Sequence, residues 1–137
     1  MLRSSDVEQL VRRHQLTCYH NIVSAMEQLK VRFILPAGPY TTVFYGQVRQ
    51  FLLHFSAAGI RIFSADDMDR PPRLLPWRTL TRFRVRARLL TYRLTVQTGS
   101  GKWQFIINRF ILGSPWQREN ITCLAENGFF QPCELRQ

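Results

Sequence analysis

The sequence is poor in cysteine and in long apolar runs. It has three cysteines, Cys18, Cys123 and Cys133, an odd number with no C-x-x-C spacing, so we expect reduced thiols and no disulfide framework. No apolar run is long enough for a membrane-spanning helix, and because the N-terminal segment is polar we expect no signal-peptide core. These absences predict a soluble, cytoplasmic chain, and its length of 137 residues predicts a single domain, residues 1–137.

Acidic residues are missing from the central part of the chain. From Arg70 to Arg118 there is no Asp or Glu, but there are ten Arg and one Lys. Lysine is also scarce, because 17 of the 19 basic residues are Arg. The guanidinium group presents a planar fork that suits phosphate and carboxylate. The net charge of +10 is therefore unevenly distributed and favours an anionic partner.

Motifs that carry chemistry are also missing. His14 and Cys18 lie four residues apart, but no third or fourth metal ligand is visible near them. The acidic run at residues 66–69 lacks the glycine and the closing glutamate of a calcium loop. Residues 99–101 are too short for a phosphate-binding loop and precede a predicted strand rather than a helix. No Ser, His and acid form a nucleophile motif. We predict no catalytic residue, no metal and no cofactor.

The first 29 residues have helical periodicity. Ser5 to Glu8 has the spacing of a capping box, and apolar residues follow at helical intervals. Thr17 is a candidate cap for a second segment, in which the recurring apolar residues are Tyr19, Ile22, Val23, Met26 and Leu29. The pattern predicts one bent helix or two short ones over residues 5–29.

Residues 31–108 have the patterns of an antiparallel sheet. Runs at 31–35, 40–45, 49–55 and 60–64 predict strands, separated by turns at 36–39 and 56–59. Residues 40–55 could alternatively form one long bent strand. The segment 66–72 combines three acids with Arg70-Pro71-Pro72 and predicts a loop.

The clearest alternation begins at residue 82. Phe83, Val85, Ala87 and Leu89 alternate with four arginines, a period of two that predicts a strand with an apolar inner face. Two further strands, near 91–97 and 103–108, complete a meander with a turn at 98–101.

A final helix is predicted at residues 114–127, capped by Ser114-Pro115 and ended by Asn127-Gly128. Its predicted apolar stripe is Trp116, Ile121, Leu124 and Ala125, and we expect Phe129 and Phe130 to fold back onto the core. Helices before and after an antiparallel sheet predict an α+β fold, a sandwich or a partly open barrel of about seven strands.

The segment from Phe51 to Ser64, the loop after it and "LLPWRTLTRFRVR" resemble bacterial PH-like domains of the GRAM, YokE and YcxB types. The shared step into the central strands is Leu75-Pro76-Trp77-Arg78-Thr79-Leu80, and the resemblance covers residues 49–130. It implies a pair of packed sheets, normally of seven strands, closed at one end by the C-terminal helix. The leading helical segment is outside this pattern.

The resemblance also implies where a lipid site would be expected. Lipid-binding PH domains hold the head group with basic residues on the first two strands and the loop between them. The corresponding turn here, at residues 36–39, is uncharged, and only Lys30 and Arg32 lie near it. We therefore do not transfer a phosphoinositide site to this chain.

The candidate site is instead the predicted strand at 82–88. Alternation places its arginines on one face, with same-side neighbours roughly 6.5–7 Å apart. The candidate binding residues are Arg82, Arg84, Arg86, Arg88 and, from the next strand, Arg93. Such a row suits an acidic protein face or an anionic lipid surface at the membrane periphery. It could otherwise be a solvated sheet face, or one neutralised by Asp6, Glu8 or Glu27 from the leading segment.

Two other functions remain open from the sequence. The high charge is compatible with general, salt-sensitive binding to nucleic acid, although most aromatic residues fall on predicted inward faces and no sequence-specific motif is present. A homo-oligomer that associates through the leading helical segment is the other alternative.

Overall fold

A computed structural model of the chain describes residues 4–16, 20–28, 32–37, 40–45, 48–112 and 114–132. Two α-helices lie within these ranges, α1 (Ser4–His14) and α2 (Pro115–Glu126). The strands are β1 (Ile22–Gln28), β2 (Arg32–Ala37), β3 (Tyr40–Tyr45), β4 (Val48–Ser56), β5 (Gly59–Ser64), β6 (Arg73–Pro76), β7 (Leu80–Ala87), β8 (Thr91–Thr98) and β9 (Lys102–Asn108). No helix in the described ranges has the length and apolar character needed to span a bilayer.

Seven strands form one antiparallel sheet in the order β6-β5-β4-β1-β9-β8-β7. The sheet curls into an open barrel. The contact of Arg73, on the β6 edge, with Trp103 on β9 shows this, since the guanidinium carbon lies 4.8 Å from the ring centroid. The inner face encloses the main core, in which Phe55, Phe105 and Ile107 are fully buried. The predicted α+β fold with an open, seven-stranded barrel is confirmed.

The prediction of helix over the whole of residues 5–29 is wrong in its second half. Residues 4–14 form α1, but Ile22–Gln28 is the central strand β1. Both faces of β1 are covered, so Ile22 and Val23, although adjacent, are both buried, on opposite sides. Consecutive apolar residues of this kind do not alternate as in a half-exposed strand, and their spacing here mimics that of a helix. The predicted cap Thr17 and Tyr19 lie outside the described residues.

Strands β2 and β3 form a separate two-stranded sheet. The two strands predicted near 31–35 and 40–45 are confirmed as this hairpin, with Ala37 paired to Tyr40. The predicted turn at 36–39 is wrong in its first half, because Pro36 and Ala37 belong to β2. The alternative of one bent strand over 40–55 is wrong, because β4 pairs with β1 and β5 in the large sheet.

A tight turn joins β4 to β5, as predicted. Gly59 has φ +144°, a conformation that disfavours L side chains. A Cβ atom at this position would lie 2.2 Å from the carbonyl oxygen of Leu75 on β6, so the close approach of the two strands requires glycine.

The segment Leu75 to Leu80 connects β6, at one edge of the sheet, to β7, at the other edge. Leu75, Trp77 and Leu80 are all buried, and Trp77–Thr79 is a short 3-10 helix. The indole N–H of Trp77 donates to the carbonyl of Ser56 at 2.8 Å, and its ring packs edge-on against Phe83 at 5.1 Å. The sequence did not predict β6. This strand has only four residues, follows Pro72 and ends at a second proline, Pro76.

Helix α2 fills a gap in the sheet. The described pairing of β1 with β9 covers only Met26 and Glu27. Further back along β1, the Gln117 side chain accepts from the N–H of Ser24 and donates to its carbonyl, both at 2.9 Å. Asn120 donates to the carbonyl of Ile22 at 2.8 Å. The two amides replace a neighbouring strand, because buried backbone groups require partners.

The predicted bounds of α2 are confirmed, but its inward face is more polar than expected. Ile121 and Leu124 are buried with Gln117 and Asn120, whereas Ala125 is exposed. After the helix, Phe129 turns back with φ 57° and is buried against Phe55 at 5.5 Å. The predicted return of this segment to the core is confirmed.

Helix α1 covers the outer face of one half of the sheet. Its buried residues Val7 and Leu10 pack with Ile22, Leu52 and Phe63 in a second, smaller core. The apolar stripe of α1 is therefore used within the chain.

Candidate anion-binding surface

Four of the five predicted site residues lie together on an exposed face. Arg82, Arg84 and Arg86 alternate along β7, and Arg93 lies on β8, directly opposite Arg86. All four are exposed. We call these four residues the arginine strip. The alternating residues Phe83 and Val85 are half-buried and pack against the core on the other side of the strand.

The fifth predicted residue, Arg88, is not on the strand. Strand β7 ends at Ala87, and the backbone N–H of Arg88 donates to the carbonyl of Thr91 at 2.8 Å, which closes the hairpin to β8. Arg88 is exposed next to the end of the strip. Ala87 and Leu89 are exposed too, contrary to the predicted inner face, because this edge strand extends beyond the core.

Most neighbours of the strip on the same face are polar, the exception being Ile106, which pairs with Arg93. The register aligns Arg84 with Thr95 and then Gln104, and it aligns Arg82 with Gln97. Lys102 pairs with Gln97 and adds a further exposed cation. The face thus offers guanidinium, ammonium, hydroxyl and amide groups, all of which can hydrogen-bond to the oxygens of an anion.

The acidic side chains with observed ion pairs lie elsewhere. Asp69 forms an ion pair with Arg13 of α1, Asp67 lies 3.8 Å from Arg70, and Glu119 lies 3.7 Å from His20. Within the described ranges, no ion pair includes a residue of the arginine strip. Its positive charge is not balanced by a neighbouring described carboxylate.

The leading segment does not cover the strip. Helix α1 contacts Leu52 of β4 and Phe63 of β5, on the half of the sheet away from β7 and β8. This arrangement of α1 does not support the alternative in which Asp6 or Glu8 neutralises the arginines. The third acid of that alternative, Glu27, lies on β1, where it pairs with Arg49 and Phe105.

The strip is electrostatically unfavourable in the free protein. Like charges directly opposite each other on adjacent strands, as in Arg86 and Arg93, destabilise a sheet by roughly 0.2–1 kcal/mol. Solvent exposure reduces this cost, and salt screens it. An anion placed across the strip would relieve the repulsion, so the arrangement favours binding.

The structure shows two further arginines that the sequence did not single out. Arg109, after β9, and Arg118, on α2, line one cavity of about 340 Å³ with Tyr92 and Thr122. The Arg109 guanidinium lies over the Tyr92 ring, 4.4 Å from its centroid. Nothing in the sequence signalled this pair, because the two arginines are nine positions apart and are brought together only by the packing of α2 against β8.

The other sequence motifs have structural roles. His14 Nε2 lies 2.9 Å from the carbonyl oxygen of Met68, and its ring packs against Phe63. His20 Nδ1 lies 3.1 Å from the Asn120 side-chain oxygen. Residues 66–72 are a loop and residues 99–101 a hairpin turn, as predicted. Within the described ranges, no group of three or more His, Cys, Asp or Glu side chains could hold a metal ion. Cys18 and Cys133 lie outside those ranges.

Comparison with known proteins adds no family to this description. No protein-family model, curated protein or solved structure matches the chain.

Proposed function

We propose that this protein is a non-catalytic, PH-like binding module whose arginine strip docks onto an anionic surface, either an acidic protein face or an anionic membrane. The observation that carries the proposal is the row of exposed arginines with no ion pair to any described acid. Docking would occur in the cytoplasm, with the protein peripheral to any membrane that it binds.

The architecture supports the PH-like part of the proposal. The resemblance implied about seven strands closed by a C-terminal helix, and the chain has a seven-stranded open barrel with α2 bonded to β1. The step from Leu75 to Leu80 places Leu75, Trp77 and Leu80 in the core at the junction of the two halves. A PH-like fold does not by itself determine a ligand, so the binding role depends on the surface.

The chemistry of the strip supports an anionic partner. Three guanidinium groups follow one another on β7 at roughly 7 Å intervals, and Arg93 widens the row on β8. Arginine binds carboxylate and phosphate oxygens through two parallel N–H groups. A flat row of such groups fits an extended anionic surface better than one small ligand.

The aromatic residues on the strands beside the strip argue against nucleic acid as the preferred partner. Phe105 is buried, Trp103 and Tyr92 are half-buried, and the strip's neighbours are Thr95 and Gln97. Base stacking requires exposed aromatic rings, and these three are not exposed, so contact of the strip with nucleic acid would be limited to the phosphates. General nucleic-acid binding remains the alternative, and it predicts a gel shift that weakens steeply between low and physiological salt.

The experiment compares R84E/R86E with a control of equal charge change, R12E/R78E. Arg12 on α1 and Arg78 on the 3-10 helix are exposed and outside the strip. The probes are phosphatidylglycerol vesicles, polyglutamate beads and a DNA duplex. Near a membrane each basic residue contributes about 1 kcal/mol, so loss of two predicts at least about a 30-fold weaker association on reversal.

The proposal requires that R84E/R86E lose binding to vesicles or to polyglutamate while R12E/R78E retains it, with both melting temperatures near the wild-type value. Equal losses in the two variants would show that only net charge matters. Binding to the duplex alone, at low salt, would favour the nucleic-acid alternative.

A further inference from the structure

Exposed apolar side chains are concentrated at one end of the barrel. Within the described ranges, the exposed large hydrophobic residues, with their exposed fractions, are Leu74 (41%), Leu89 (88%), Leu90 (73%), Phe110 (60%) and Leu112 (78%). All except Leu74 belong to two connections, the β7–β8 turn and the segment between β9 and α2. We call these four residues the apolar tip.

The two connections of the tip lie side by side. Thr91 pairs with Asn108, and the backbone N–H of Arg109 donates to the carbonyl of Leu90 at 3.0 Å. Phe110 therefore follows directly after the residue bonded to Leu90. Large apolar groups exposed together on adjacent loops indicate an interaction site, whereas single exposed leucines do not.

Arginines border the tip on both sides. Arg88 immediately precedes Leu89 in the β7–β8 turn and continues toward the arginine strip. On the other side, Phe110 lines the cavity of about 340 Å³ that also contains Arg109 and Arg118. This volume is at the small end of the range of ligand sites. No acidic side chain lines the cavity in the part of the chain that the structure describes.

The cavity has unsatisfied donor capacity. The Nε atom of Arg109 is buried, and no acceptor among the described residues lies within hydrogen-bonding distance of it. The stacking of Arg109 on Tyr92 holds the guanidinium plane in place. A buried donor usually has a partner, and a phosphate oxygen would supply one.

We propose that the apolar tip inserts into the boundary between head groups and acyl chains of an anionic bilayer, while Arg109 and Arg118 bind a lipid phosphate in the adjoining cavity. This inference rests on the proposed function and identifies its anionic surface as a membrane. Apolar groups flanked by arginines match the bilayer interface, where acyl chains lie directly beneath a layer of phosphates.

The location differs from the turn that the family resemblance suggested for a lipid site. Pairing of Met26 with Ile106 shows that β1 runs antiparallel to β9. The connection from β1 to β4, which contains the β2–β3 hairpin, leaves the sheet at the Lys102 end of β9, whereas the apolar tip follows Asn108 at the other end. The two surfaces can be tested independently.

The first test compares L90S/L112S with L74S on vesicles of phosphatidylglycerol and phosphatidylcholine. Leu74 is also exposed but lies on β6, at the opposite edge of the sheet from β7. Loss of two inserted leucines predicts at least about a 10-fold smaller partition coefficient, with no change in elution from polyglutamate beads. L74S should partition like the wild type. All of these leucine changes are at exposed positions, and thermal melts would confirm folding.

The second test measures insertion and phosphate binding separately. A tryptophan introduced as L90W should shift its emission to shorter wavelength on vesicles and be quenched by brominated acyl chains, relative to the wild type with its three tryptophans. R109Q/R118Q should lower partition to anionic vesicles more than the control R12Q/R78Q does. Inorganic phosphate, added alone, should compete only weakly with the vesicles, because it lacks the acyl chains.

The outcomes separate this inference from the proposed function. If L90S/L112S binds vesicles as the wild type does and the indole introduced by L90W is not quenched, while R84E/R86E loses binding, insertion is wrong and docking by the strip stands. If the wild type does not bind vesicles but binds polyglutamate through the strip, the partner is an acidic protein and the membrane assignment is wrong. If R84E/R86E matches its control on every probe, the proposed function itself is wrong.

Discussion

The two halves of the sheet share one core but have opposite outer faces. On the helix-covered half, α1 lies over β4 and β5, and Leu52 and Phe63 are buried beneath it. On the arginine half, made of β7, β8 and β9, the outward residues include Arg84, Thr95 and Gln104, and the described helices leave this face exposed. A sheet face is apolar where another layer packs on it and polar where it meets water.

The charges differ as much as the packing. On the helix-covered half, Arg13 and Asp69 form an ion pair between α1 and the loop after β5, and Arg70 lies near Asp67. On the arginine half, four cations face outward with no ion pair to a described acid. Solubility requires a polar face, but it does not require that the charges on that face share one sign. The excess of one charge is the feature on which the proposed binding role of this face rests.

The largest expected effect tests whether the two halves of the sheet contribute differently to the free energy of unfolding. Phe63 is buried under α1, whereas Phe83 is half-buried on the edge strand β7. Phe63→Ala should lower the free energy of unfolding by about 3–5 kcal/mol, and Phe83→Ala by clearly less. Urea denaturation measures both. Equal losses would mean that the arginine half is packed as tightly as the other.

A second prediction concerns the amide bonds that attach α2 to the boundary between the halves. Gln117→Ala removes three hydrogen bonds, to Ser24 twice and to the carbonyl of Asn108. It leaves buried backbone groups of β1 without partners, at a cost of about 2–4 kcal/mol. Glu126→Ala, at an exposed position of the same helix, is the control. A loss no larger than that of the control would show that the amide bridge does not stabilise the barrel.

The smallest effect has opposite signs in the two halves. Arg86→Thr removes one member of a like-charge pair and places a β-branched residue on a strand, so it should raise stability by about 0.5 kcal/mol at low salt. Arg13→Thr breaks an exposed ion pair with Asp69 and should lower stability by a similar amount. Both differences should shrink in about 0.5 M salt, where the screening length is only a few ångströms. Destabilisation by Arg86→Thr at low salt would contradict an unbalanced strip.

The sequence predicted the arginine half well and the boundary between the halves poorly. On β7, strict alternation with one face exposed produces a period of two, so the sequence pattern alone places the arginines on one face. On β1 both faces are buried, and its consecutive apolar residues resemble a helix. The buried amides of Gln117 and Asn120 could not be predicted, because their partners are backbone groups about a hundred residues away in sequence.

The candidate site was predicted in part for the same reason. The alternation identified the strip, but it placed Leu89 inside the barrel, because the pattern does not show where the core ends. The cavity of Arg109 and Arg118 depends on the packing of α2 against β8 and has no local signal in the sequence.

The central claim, that the arginine strip is the docking surface, is tested most directly by arginine footprinting on the unmodified protein. Phenylglyoxal labelling followed by peptide mass spectrometry gives a reaction rate at each exposed arginine, with and without phosphatidylglycerol vesicles or polyglutamate. We predict that at least one of these probes slows labelling of Arg84, Arg86 and Arg93 several-fold while Arg12 reacts at its free rate. Binding of either probe with protection of Arg12 and no protection of the strip would contradict the account.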